Sequence, residues 1–79
     1  MKNKSVSDFS KKICHKVQLE IQKRKLSQEQ LALMAGLNRN TIGKLERGEN
    51  SPSIDTIEKI AAVFGMSFNE LTDVSKVEL

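Results

Sequence analysis

Residues 28–47 hold small and apolar side chains at a spacing that suits two short helices joined by a tight turn. Leu31, Ala35, Leu37, Ile42 and Leu45 stand where two helices packed on a third need apolar residues. Ala32 falls at their closest approach, where a larger side chain would push them apart. Gly36 follows the first helix, at the position where a left-handed backbone costs glycine least. Ser27 and Gln30 form a capping box ahead of that helix, and Asn38 is a strong cap for the second.

The rest of the chain extends this pattern into a bundle. Apolar residues recur at steps of three and four, so five helices are expected and no strand. A first helix is expected from Phe9 to Arg24, capped by Ser7, with Phe9, Ile13, Val17 and Ile21 on one stripe. Ser53 should cap a fourth helix whose inward face is Ile54, Ile57, Ile60, Ala61 and Phe64, closed by Gly65. Ser67 and Glu70 form a second capping box before a short fifth helix. Residues 1–6 read as a flexible arm, and the division drawn is an arm at 1–8, a domain at 9–72 and a short tail at 73–79.

Charge is divided along the chain. The total is +3, but residues 1–47 carry +7 and residues 48–79 carry −4. The basic half, which attracts polyanions, is the half that holds the two-helix pattern. That pattern is a helix-turn-helix, whose second helix is shaped to enter the major groove of DNA. Its outward residues at the helix start are Arg39 and Asn40, with Gly43 and Lys44 one turn on. Arginine pairs with the O6 and N7 edge of guanine, and asparagine with N6 and N7 of adenine. Arg39, Asn40 and Lys44 are therefore expected to read bases. Thr41 and Gln28 are placed to donate to phosphate, and Gly43 would let the helix come close.

Other chemistry finds little support. Cys14 and His15 are neighbours on a helix and point apart, and no further Cys or His completes a metal site. No nucleophile–base pair or phosphate-cradling glycine loop is evident, so neither an enzyme nor a cofactor is expected. A single cysteine forms no internal disulfide and fits the reducing cytoplasm. No apolar run is long enough to span a membrane. In 79 residues there is room for one domain, and no small-molecule ligand is expected. Met34 and Met66 read as packing residues.

Leu26-Ser-Gln-Glu-Gln-Leu-Ala, Gly36-Leu-Asn-Arg-Asn-Thr-Ile, Leu45-Glu-Arg-Gly, Pro52-Ser and Ile60-Ala-Ala-Val-Phe-Gly together resemble the phage repressor and Cro type of helix-turn-helix, a group that includes restriction–modification controllers. The resemblance runs from about Val17 to Leu71 and implies an all-α, five-helix, lambda-repressor-like bundle. It implies a transcriptional regulator that binds a two-fold related operator on double-stranded DNA as a homodimer. By that pattern Gln28, Arg39, Asn40, Thr41 and Lys44 face DNA, and Asn50 and Ser51 lie along its backbone. Phe64, Met66, Phe68, Leu71 and Val74 exceed what the fourth helix needs: core is the commoner fate of such residues, and a two-fold dimer interface around the fifth helix is the other.

Two positions depart from the pattern. Where the family often has an arginine paired with the residue here numbered Glu46, this chain has Ile21. Arg47, Lys23 and Arg24 are then the candidate partners of Glu46. Where the family favours glycine after the first helix, this chain has Lys25, which would carry a left-handed residue at a cost of about 1 kcal/mol. The rival reading is an antitoxin-like module that binds a partner protein as well as DNA.

Overall fold

The computed structural model describes residues 7–78. It has helices α1 (Asp8–Lys23), α2 (Gln28–Ala35), α3 (Arg39–Glu46), α4 (Ile54–Phe64) and α5 (Phe68–Thr72), and no strand among the described residues. The expected arm at residues 1–6 lies outside the described residues, but Ser7 and Asp8 belong to α1 as its cap and first residue. Every helix start is capped by a side chain. Ser7, Ser27, Ser53 and Ser67 each accept from the backbone N–H three residues on, and Asn38 from that of Asn40. Both capping boxes form, at Ser27–Gln30 and at Ser67–Glu70.

The turns follow from local chemistry as well. Gly36 takes φ +70° and lets the N–H of Leu37 reach back to the carbonyl of Ala32 at 2.8 Å. Lys25 adopts φ +55°, so the turn after α1 keeps the left-handed geometry without a glycine. The N–H groups of Lys25 and Leu26 still bond the carbonyls of Gln22 and Ile21.

The core is one cluster: Ile13, Cys14, Val17 and Ile21 from α1, Leu31 and Ala32 from α2, Ile42 and Leu45 from α3, Ile57, Ile60, Ala61 and Phe64 from α4, and Leu71 from α5. Helix α2 packs on α3 and α4, α1 on α3 and α5, and α4 on α5. Two polar ties close the bundle. Arg24 pairs with Glu20, donates to the Phe64 carbonyl at 2.8 Å and lies 4.7 Å from the Phe64 ring centre. Lys16 Nζ donates to the carbonyls of Glu70 and Asp73, fastening the end of α5 to α1.

Three apolar residues expected to pack do not. Phe9 and Ile54 occupy the first turns of α1 and α4, and Met34 ends α2, with exposures of 54%, 67% and 59%. Each stands near a helix end, and Met34 lies at the edge of a hollow shared with Lys59, Ala62 and Val63 of α4. Cys14 enters the core instead, and burial raises its thiol pKa.

Candidate nucleic-acid interface

Helix α3 is divided sharply between a buried and an exposed side. Ile42 is fully buried and Leu45 nearly so, against α2 and the core. Arg39, Asn40 and Lys44 point the other way and are exposed, while Thr41 is half-buried. The buried pair fixes the rotation of the helix, and that rotation aims the polar side outward.

The outward side chains line two hollows that meet at Asn40. The larger, about 530 Å³, is lined by Asn40, Thr41 and Lys44 of α3 together with Asn50 and Ser51 of the following loop. Ser53 and Thr56, at the start of α4, complete that wall. The smaller, about 210 Å³, is lined by Gln28 at the start of α2 with Arg39, Asn40, Gly43 and Arg47. The fold thus brings together all seven residues expected to touch DNA, on both sides of one exposed helix ridge. Sequence reasoning left out Ser53 and Thr56, and it did not place Arg47 on this face. The available signal for Arg47 was its spacing, since Arg39, Gly43 and Arg47 are four residues apart.

Glu46 lies behind this face. One of its carboxylate oxygens is buried and has no hydrogen-bond partner among the described residues. None of the three expected partners reaches it: Lys23 and Arg24 pair with Glu20, and Arg47 with Glu49 at 2.5 Å. The hydrogen bond from Arg47 holds the Glu49 carboxyl below the usual carboxylate range. Burial pushes the Glu20 carboxyl up, but Arg24 and Lys23 outweigh it and the net shift is downward.

The five residues expected at a dimer interface divide. Phe64 and Leu71 take the core fate, 5% and 0% exposed, because α4 and α5 close over them, and they drop out as interface candidates. Met66, Phe68 and Val74 are half-buried, packed against the core with part of each side chain open. Among the described residues no three His, Cys, Asp or Glu side chains gather to hold a metal ion. No helix there is long and apolar enough to cross a membrane.

Residues 17–71 match a family model described as helix-turn-helix. The chain is 37% identical over 60 residues to control protein C.BamHI of Bacillus amyloliquefaciens, covering 76% of this chain and 74% of that one. It is 36% identical over 56 residues to the cryptic phage CTXphi transcriptional repressor RstR of Vibrio cholerae, spanning 71% of this chain and half of that protein. The fold is similar to the crystal structure of the restriction-modification controller protein C.AhdI from Aeromonas hydrophila. There the TM-score is 0.73 at 33% identity, over 81% of this chain and 96% of that one.

Proposed function

The chain belongs to the helix-turn-helix family whose model its residues 17–71 match, and on that premise we propose that it regulates transcription by binding double-stranded DNA sequence-specifically as a homodimer. The observation that carries the reading is the exposed side of α3, where Arg39, Asn40 and Lys44 project while Ile42 and Leu45 are buried behind them. Arg39 is suited to the guanine edge and Asn40 to the adenine edge. Lys44 reads one turn further along. Gln28, Thr41, Asn50 and Ser51 fix the register through the DNA backbone.

A transcriptional repressor and a restriction–modification controller are the roles the relatives' names carry. The relatives' names describe a control protein, a repressor and a controller, so the antitoxin-like alternative is not the favoured reading. Dimerisation answers an affinity need: one unit offers few base contacts, and two half-sites about 34 Å apart double them. The reading places the protein in the compartment that holds the DNA, the cytoplasm.

The test is selection of duplexes from a random-sequence pool. It is followed by titration of a selected duplex with excess competitor DNA at about 50 and 200 mM salt. Binding that survives competitor, at two protomers per duplex, supports the reading. Binding that competitor and salt abolish on every duplex alike sinks it.

A further inference from the structure

Gly43 has no backbone reason to be glycine. It lies inside α3, and among the described residues the left-handed φ values belong to Lys25, Gly36, Gly48 and Gly65 alone. Within a helix, glycine costs about 1 kcal/mol relative to alanine. Its reason is space. A Cβ at this position would stand 3.2 Å from Nη1 of Arg47 and 3.5 Å from Oε1 of Gln28. The bare backbone of α3 is where the Arg47 guanidinium lies, beside Gln28 and in the hollow that Arg39 and Asn40 share.

We infer that Arg47 is a further DNA-phosphate contact, that Gly43 is the gap through which it reaches the DNA-facing side, and that Glu49 competes with phosphate for it. This deepens the DNA-binding reading above and rests on it. Three observations favour it. No acidic residue lines that hollow, and two guanidinium groups do. Glu49 engages only Nε, at 2.5 Å, out of five N–H donors, and Nη1 lies over the bare Gly43 backbone, 3.2 Å from where a Cβ would stand. A phosphate offers the guanidinium the same anionic oxygens as a carboxylate. Phosphate rather than a base edge is favoured by place in the helix. Arg47 is the C-cap of α3, beyond Lys44, and base edges are met chiefly from the N-terminal part of a recognition helix.

The experiment uses two probes, a duplex selected from a random pool and an unrelated duplex of equal length, each titrated across salt. Arg47→Ala should weaken binding to both by the same factor, about tenfold, and lower the salt slope by about 1. Gly43→Ala favours the helix, so it folds. It should weaken binding where Arg47 is present and add nothing in the Arg47→Ala background, because its effect is to displace that side chain. Glu49→Gln should tighten binding to both duplexes about two- to threefold, the scale of an exposed ion pair. Wild-type affinity and slope in Arg47→Ala would overturn the inference, as would a loss confined to the selected duplex or additive effects of the two alanines. A native protein that fails to distinguish the two duplexes would instead sink the function reading itself, so the two failures look different.

Discussion

Glu46 and Glu20 are the same side chain in opposite situations. Glu20 is flanked by Lys23 and Arg24, whereas one oxygen of Glu46 is buried without a donor among the described residues. Leaving a buried acceptor unpaired costs about 1–3 kcal/mol. Glu46→Met keeps the stem and removes the unpaired oxygen, and should raise stability by about 1 kcal/mol, read as a melting temperature higher by roughly 4–8 °C. Glu20→Gln should lower stability by about 0.5 kcal/mol at neutral pH, the scale of a helical ion pair. Because the Glu20 pKa is depressed in the folded protein, its contribution is present above the ordinary glutamate range and disappears as pH falls through the folded value. Denaturant titrations of native protein and Glu20→Gln should therefore converge in acid. On the DNA side, Arg39→Ala should cost about 1–3 kcal/mol of binding and relax preference at one base pair. Equal loss on all sequences would make Arg39 a phosphate contact. The sequence disclosed at Ile21 that Glu46 lacks the family's partner. It did not disclose where Arg47 goes, because an exposed guanidinium is settled by Gly43, Gln28 and Glu49 around it.

Helix caps and turns were legible because their chemistry is local. Ser27, Asn38, Ser53 and Ser67 bond groups two or three residues away, so the residues that decide each cap lie side by side in the chain. Burial at helix ends was not legible. Periodicity gives the direction of an apolar stripe, not how far the neighbouring helix runs along it, and so Phe9, Met34 and Ile54 stand in solvent. The junction of α1 and α2 tests the local rule. Lys25 holds φ +55°, a conformation that costs a residue with a Cβ about 1–2 kcal/mol. Lys25→Gly should raise stability by up to about 1 kcal/mol, offset in part by a more flexible unfolded chain. Lys25→Ala keeps the Cβ and removes the charge, so it should leave the melting temperature near that of the native protein. Equal gains from both variants would trace the effect to charge instead of backbone.

At the scale of the whole molecule, core and interface residues look alike in a sequence, since both are apolar and both recur at helical spacing. Phe64 and Leu71 are spent inside the bundle, and only their burial in the fold separates them from Met66, Phe68 and Val74. That difference decides which substitution tests the dimer. Leu71→Asp would place a charge at a fully buried site and unfold the bundle, so a lost dimer there says nothing about an interface. Phe68 begins α5 and is half-buried, so Phe68→Asp can be tolerated by the monomer while placing a charge on the apolar face that a partner would cover. The expected outcome is a protein with native helix content by circular dichroism that sediments as a monomer where the native chain sediments as a dimer. Its binding to a two-fold related duplex should fall toward that of a single half-site, because joining two units is what makes the second contact intramolecular. An unchanged sedimenting mass with native helix content would move the interface away from α5. The exposed Leu33 and Met34 of α2, 82% and 59% open, would then be the next surface to substitute.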